Sequence, residues 1–229
     1  DALPGLPDVY GVGIDRNDNL YVVSAATRHD GDKRHYNDMT GTLIKVKPGA
    51  AKIVSAAAKE VPLADADKPS RPPDFSSAMQ GPAWIQGAEW TFSGVGFGGK
   101  NRGVGCACWN SRFALDSFAR SFVPEMDRYS VAILDTNGNL ILRVGRYGNT
   151  DDGRPLAGSE PAGKETAKSM PRSIGGDEVA LFHAPYVATH TDRRLFIADP
   201  GNGRVLSVKL DYLAGETVAI KDVKDAEKK

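Results

Sequence analysis

The sequence lacks the short motifs that would point directly to a chemical activity. It has no Gly-Lys-Ser/Thr phosphate loop and no Gly-x-Ser-x-Gly nucleophile elbow, so neither P-loop nor serine-hydrolase chemistry has support. Its two cysteines form no Cys-x-x-Cys-His motif, so covalent c-type haem is not indicated. No apolar run approaches the roughly 20 residues of a membrane helix, so we expect no membrane insertion.

An excess of charge of either sign is also missing. The chain has 29 basic and 29 acidic residues in 229, so no global field draws it to nucleic acid, and we expect no nucleic-acid partner. It begins at Asp1, without methionine or a signal peptide. We therefore expect a processed or excised piece of a longer protein. Among the possible locations we favour an extracytoplasmic one, periplasmic or secreted.

Short segments with a period of two are what the sequence does contain. Residues 181–210 predict strands at 186–189, 195–198 and 204–210, joined by polar turns. Three short antiparallel strands in sequence form a β-meander, the unit of a propeller blade.

The same spacing occurs three times. The first strand ends at Asp15, Asp116 or His190; an aromatic residue follows six positions later, at Tyr21, Phe122 or Phe196; and the second strand ends at Ser24, Glu125 or Asp199. Third strands are predicted at 41–47, 129–134 and 204–210, and fourth strands at 52–55, 140–144 and 216–220. The sequence therefore predicts an all-β fold of about three four-stranded antiparallel meanders at about 9–56, 111–145 and 185–220, in one segment spanning 1–229.

The third of these units carries a family resemblance. It reads FHAP at 182–185, LFIAD at 195–199 and GNGRV at 201–205, which resembles the NHL repeat of β-propellers. The second unit keeps the strand spacing and an Asn137-Gly138-Asn139 turn, and the first keeps less of the pattern. The resemblance implies propeller blades, and it leaves function open because NHL propellers serve as enzymes, RNA binders and protein-interaction surfaces.

The number of predicted units indicates that the chain needs further blades from elsewhere. Closed propellers generally have about four to eight blades, and three alone leave exposed sheet edges that invite association. We therefore expect the C-terminal blades of a larger propeller, or a propeller completed by another protein chain, rather than a ring closed by this chain alone.

Two polar or aromatic stretches interrupt the repeat. Residues 25–40 form a predicted loop with His29 and His35, which is either a solvated excursion or a metal or anion site. An aromatic and glycine-rich insertion spans about 57–110 and is not a clear blade. Its Trp84 and Trp90 either cover the side of the propeller or stack on a sugar ring or a partner.

The cysteine pair, Cys106 and Cys108, follows the glycine-rich stretch 94–105. Three interpretations remain open: a small strained disulfide, two reduced or buried thiols, or a zinc or copper site that uses both thiolates. The metal interpretation needs histidine ligands from elsewhere, such as His29 or His35.

Three further residues are candidates for binding a ligand. Most arginines of residues 112–146 pair with nearby carboxylates in the predicted sheet, and an alternative places Arg120 and Arg146 on one face toward an anionic ligand. His190 ends an inner strand, where propeller side chains can line the central channel.

These observations favour a binding or scaffold propeller that presents loops to a protein partner or to a small ligand or glycan. The alternative is a metal-dependent, lyase-like propeller enzyme with a Cys/His metal site. No residue of this sequence matches a catalytic signature of such enzymes, so we name no catalytic residue.

Overall fold

The computed structural model describes residues 6, 9–31, 33–35, 40–50, 52–55, 69–77, 81–96, 111–149 and 179–210. In these ranges the chain consists of strands and two 3-10 turns, Met126–Arg128 and Pro200–Asn202, with no helix long and apolar enough to cross a membrane. The strands are β1 (Val9–Ile14), β2 (Leu20–Ser24), β3 (Thr27–Asp30), β4 (Lys33–His35), β5 (Gly41–Val46), β6 (Lys52–Ser55), β7 (Phe75–Ser77), β8 (Gly81–Gln86), β9 (Ala88–Val95), β10 (Ala114–Leu115), β11 (Ser121–Glu125), β12 (Ser130–Leu134), β13 (Leu140–Val144), β14 (Arg146–Tyr147), β15 (Ala180–Leu181), β16 (Tyr186–Thr189), β17 (Arg194–Asp199) and β18 (Arg204–Lys209). The fold is all-β, as the alternation predicts.

Three antiparallel meanders form the framework. The first unit has the order β1-β2-β5-β9, the second unit β10-β11-β12-β13 and the third unit β16-β17-β18. A five-stranded sheet, β4-β3-β7-β8-β6, is called the insertion sheet here, and β14 pairs with β15 in parallel. The predicted fourth strand of the third unit, 216–220, lies outside the described residues.

The predicted repeat spacing is confirmed at the ends of the inner strands. Strands β1, β10 and β16 end one residue before Asp15, Asp116 and His190, and strands β2, β11 and β17 end at Ser24, Glu125 and Asp199. The aromatic residues occupy one register position, because Tyr21 pairs with Gly13, Phe122 with Ala114 and Phe196 with Ala188.

The fourth strand of the first unit is not the predicted one. Residues Lys52–Ser55 pair with β8 in the insertion sheet, and the first unit is completed by β9, from the aromatic stretch. A turn at Pro48 and Gly49, where Gly49 has φ +67°, takes the chain out of the sheet after β5. Strand β9 then pairs with β5, and Glu89 forms ion pairs with Lys45 at 2.9 Å and Lys47 at 2.7 Å.

The stretch 25–40 also differs from the prediction of a loop. Residues Thr27–Asp30 and Lys33–His35 form a hairpin around Gly31, whose φ is +59°. Strand β3 then pairs with β7, so this hairpin is the edge of the insertion sheet.

The units pack face to face in chain order around separate apolar clusters. One cluster joins the first and second units through Tyr21, Leu43 and Leu134. A second joins the second and third units through Phe122 and Ile197. A third lies on the opposite side of the first unit, where Ile44 and Val46 contact Phe75 and Ala83 of the insertion sheet. The described sheets therefore form a continuous stack, held together by the burial of apolar side chains.

Candidate binding site

Four hairpin turns share one design. They span residues 15–19, 116–120, 135–139 and 190–194. In each, the backbone N–H of the first residue donates to the carbonyl of the fifth at 2.9–3.1 Å, and the N–H of the fourth donates to the carbonyl of the first at 3.0–3.2 Å. The fourth residue has the left-handed backbone: Asp18, Ala119, Gly138 and Arg193, with φ of +59°, +60°, +81° and +65°.

One of the four turns has a different type of residue at its first position. In three turns it is an aspartate whose Oδ1 accepts the backbone N–H two residues later, at 2.8–2.9 Å. In the third unit it is His190, whose Nδ1 lies 3.3 Å from the backbone N of Asp192 and 2.7 Å from that residue's Oδ1. An imidazole thus replaces a carboxylate, which removes one negative charge from this turn.

A small cleft, open to solvent, lies between the turns of the second and third units. It is lined by Asp116, Ser117, Phe118, Arg120, Phe122, Thr189, His190, Thr191, Arg193, Arg194 and Leu210. The lining carries three arginines and a histidine against a single carboxylate, so its charge is positive.

Two of the three arginines are held by neighbouring carboxylates. Arg120 binds Asp116 through Nε at 2.6 Å, and its guanidinium lies 5.2 Å from the ring centre of Phe118. Arg194 binds Asp192 through Nε at 3.0 Å and donates to Ser207 Oγ at 3.0 Å.

Arg193 differs from both. Among the residues that the structure describes, none forms a hydrogen bond or an ion pair with its guanidinium. Its backbone is fixed, because its carbonyl accepts the N–H of Leu210 at 2.9 Å and its own N–H donates to His190. The side chain of His190 is 59% exposed beside it. Arg193 is therefore the arginine of the cleft that an incoming anion meets without displacing a described carboxylate.

The structure brings two of the predicted ligand-binding residues together and leaves a third apart. Arg120 and His190 line the same cleft, because they lie in equivalent turns of adjoining units. Arg146 is an exposed residue of β14 that does not line it, and its backbone N–H donates to Val179 at 3.0 Å.

The two tryptophans occupy different environments. Trp84 is 5% exposed in β8, and its Nε1 donates to the carbonyl of Arg71 at 2.8 Å, so little of its ring can stack on a sugar. Trp90 is half-buried in β9, with its ring edge-on to Tyr21 at 5.8 Å and its Nε1 bonded to Thr136 O at 3.0 Å. Trp90 thus bridges the first unit and a turn of the second.

The predicted metal ligands are described only in part. His29 hydrogen-bonds to Ser76 Oγ through Nε2 at 2.7 Å. In the backbone register of the β3–β4 hairpin, His29 lies opposite Arg34 and His35 lies opposite Arg28. Cys106 and Cys108 lie outside the described residues. Within the described ranges, no group of three or more metal-ligating side chains is assembled.

Arg193 was missed at the level of sequence, although a signal for it exists. The offset that aligns His190 with Asp116 also aligns Arg193 with Ala119, the left-handed position of the equivalent turn. A charged residue at that position projects from a fixed backbone, so alignment of the repeats indicates Arg193 as a candidate for binding an anion.

The chain matches no known protein-family model, and no curated protein matches it.

Proposed function

We propose that this chain is a segment of an NHL-like β-propeller that binds a ligand or partner. Its stacked antiparallel units supply a rigid framework, and the cleft between the second and third units receives an anionic group. The chemistry of that group is a carboxylate or a phosphate, carried by a small ligand or by a protein partner.

One observation supports this proposal above the others: Arg193 stands at the cleft without an acidic partner among the described residues. Asp116 neutralises Arg120, and Asp192 neutralises Arg194. An anion that approaches Arg193 breaks no ion pair with a described residue, so it gains the full charge-assisted hydrogen bond to the guanidinium fork.

The magnitude of this interaction sets the expected affinity. An exposed ion pair contributes about 0–1 kcal/mol. One such contact therefore gives a simple anion a dissociation constant of about 0.2 M or above, and a natural ligand must add contacts to the surrounding turns. Phe118, 62% exposed at the cleft, offers an apolar contact next to the charged groups.

The partner follows from the number of units. The described residues contain three propeller-like units, fewer than the about four to eight of closed propellers. We include in the proposal that further units, from a larger parent protein or another chain, complete the ring around this framework.

Nuclear magnetic resonance tests the cleft directly. Inorganic phosphate and acetate are titrated at constant ionic strength while the amide signals of His190, Arg193 and Arg120 are followed. We expect shifts that grow with anion concentration and are confined to the cleft, and we expect Arg193→Gln to abolish them.

A matched control is Arg16→Gln, which removes an exposed arginine from the equivalent turn of the first unit. It should leave the shifts unchanged. Shifts that survive in Arg193→Gln, or that spread evenly over surface arginines, would show that the anions only screen charge, and the proposed site would be wrong.

A further inference from the structure

Phe118 occupies a turn position that is polar in the other three hairpin turns. The third residue of those turns is Asn17, Asn137 or Asp192. In the second unit the same position holds Phe118, which is 62% exposed. Short polar side chains are the usual choice at such positions because they hydrogen-bond to the turn backbone. Closure of the hairpin therefore gives no reason for an exposed phenyl ring here.

The ring of Phe118 is held from one side by a cation. The guanidinium of Arg120 lies over the ring, 5.2 Å from its centre. That guanidinium is itself held, because its Nε donates to Asp116 Oδ2 at 2.6 Å. The backbone N–H of Phe118 donates to the other oxygen of the same carboxylate at 2.9 Å. The ring thus has one face against a cation, and the rest of it is open to solvent.

The turn that carries Phe118 is also fixed relative to the turn that carries Arg193. Thr189, at the base of the third unit's turn, donates from Oγ1 to the carbonyl of Leu115, at the base of the second unit's turn, at 2.8 Å. Phe118 and Arg193 both line the cleft between these turns. An open apolar ring and a cation without an acidic partner among the described residues therefore stand at one cleft, on a framework that sets their separation.

We infer that the anionic group bound at this cleft is attached to an aromatic ring. The ligand is an aryl carboxylate or an aryl phosphate ester, whose charged group binds Arg193 while its ring packs on the open side of Phe118. This inference rests on the proposed anion site and names the class of ligand that the site takes. The ring contact is the kind of additional contact that such a ligand needs, because one exposed ion pair holds a simple anion only weakly. An aromatic pair raises the affinity by about 2- to 10-fold.

A comparison of carboxylates with and without a ring tests this inference. Acetate, benzoate and cyclohexanecarboxylate are titrated at constant ionic strength, and the initial slope of the Arg193 amide shift against anion concentration is compared. These slopes measure relative affinity without saturation, since each anion places the same charged group at that residue. Benzoate should bind about 2- to 10-fold more tightly than acetate. Cyclohexanecarboxylate is apolar and of similar size but is not flat, so it should bind less tightly than benzoate.

Two further measurements identify the ring contact and the charged group. Nuclear Overhauser contacts should join the benzoate ring to the ring of Phe118. Phenyl phosphate should bind more tightly than inorganic phosphate by the factor that separates benzoate from acetate, because the ring supplies the gain in both pairs. The stronger of the two aryl anions then shows whether a carboxylate or a phosphate is the better charged group.

The test variant is Phe118→Asn, which gives this turn the residue that two of the other turns carry. It should fold, as circular dichroism verifies, and it should remove the preference for benzoate over acetate. Phe182→Asn is the matched control, because Phe182 is 47% exposed and does not line the cleft, and this variant should keep the preference. If Phe118→Asn fails to fold, Phe118→Leu replaces it and should bind benzoate and cyclohexanecarboxylate alike.

The results separate this inference from the proposed function. If acetate shifts the signals of the cleft and benzoate binds no more tightly, the anion site stands and the aromatic class is wrong. A preference for benzoate that survives in Phe118→Asn would overturn the inference, as would equal binding of benzoate and cyclohexanecarboxylate by the unmodified chain. If no anion shifts these signals, the proposed function is wrong and this inference fails with it.

Discussion

The hydroxyl of Tyr21 donates a hydrogen bond to Oδ2 of Asp15 at 3.1 Å, which ties the second strand of the first unit to the turn before it. The same carboxylate accepts the backbone N–H of Asn17 at 2.8 Å and of Asn19 at 3.1 Å. Both residues are buried, Tyr21 completely. The equivalent aromatic residues, Phe122 and Phe196, have no hydroxyl, so this link belongs to the first unit alone.

Removal of the Asp15 carboxylate should lower the free energy of unfolding more than removal of the exposed Asp135 carboxylate. Asp15→Ala leaves a buried hydroxyl and two N–H groups without their acceptor, and we expect a loss of about 2–3 kcal/mol in the free energy of unfolding. Asp135→Ala removes the same backbone hydrogen bonds from an exposed turn, so about 1 kcal/mol is expected. Urea denaturation of both variants checks the difference, and equal losses would contradict the role of burial.

Tyr21 should make the fold sensitive to alkali. Burial, its hydrogen bond to Asp15 and the negative charges of Asp15 and Glu89 raise the pKa of Tyr21 well above its usual value. The unfolded chain therefore loses this proton first, so the contribution to stability is complete below about pH 10 and is lost as pH rises further. Ultraviolet titration of tyrosinate should show one group that ionises only as the chain unfolds. This late step should vanish in Tyr21→Phe and persist in the exposed-site control Tyr147→Phe.

The buried carboxylate of Glu125 should depend on Arg143 rather than on Arg128. Arg143 binds it through two nitrogens, at 2.6 and 3.0 Å, while Arg128 stands 3.9 Å away. We expect Arg143→Gln to cost about 2–3 kcal/mol, less than the about 3–5 kcal/mol of a fully buried pair, because the guanidinium is 36% exposed. Arg128→Gln should cost under about 0.5 kcal/mol.

Thermal or urea unfolding of these two variants gives the comparison, and Arg143→Lys adds a third value. Lysine keeps the charge and loses the two-pronged geometry, so its stability should lie between those of the unmodified chain and Arg143→Gln. Equal effects of the two glutamine substitutions would show that the short contacts to Arg143 add nothing.

Gly138 should tolerate no side chain. Its φ is +81°, and a Cβ atom there would lie 2.7 Å from the ring of Trp90. Gly138→Ala should therefore cost about 2–3 kcal/mol, made up of about 1–2 for the left-handed backbone and the remainder for displacing Trp90 from its bond to Thr136. Gly203 has φ +62° and open space around it, so Gly203→Ala should cost only the about 1–2 kcal/mol of the left-handed backbone. Comparison of the urea midpoints of the two variants tests whether Gly138→Ala costs more.

The turns and strand ends could be predicted because their causes are local. At Asp15 and Asp116 the aspartate carboxylate accepts a hydrogen bond from the backbone N–H two residues later. The next residue along has a left-handed backbone, and together these two features close the hairpin without distant contacts. The fourth strand of the first unit could not be predicted in this way. Lys52–Ser55 alternates as well as Ala88–Val95 does, and contacts distant in sequence, such as Lys45 with Glu89, decide between them.

Only the part of the candidate site that follows from the repeat spacing could be predicted from the sequence. Arg120 and His190 meet because they occupy equivalent turns, which the sequence spacing already implied. The solvent exposure of a side chain has no comparable local signal. Trp84 and Trp90 look alike in the sequence, yet one is buried in the insertion sheet and the other bridges two units.

The late arrival of β9 in the first unit has a consequence for the order of folding. The second unit is a continuous run from Ala114 to Val144, so its strands find each other over short loops. The first unit must bring Val46 and Ala88 together across the chain that separates them, which slows its nucleation through the entropy of loop closure. The second unit should therefore form first and act as the template on which the first unit, although nearer the amino terminus, is completed.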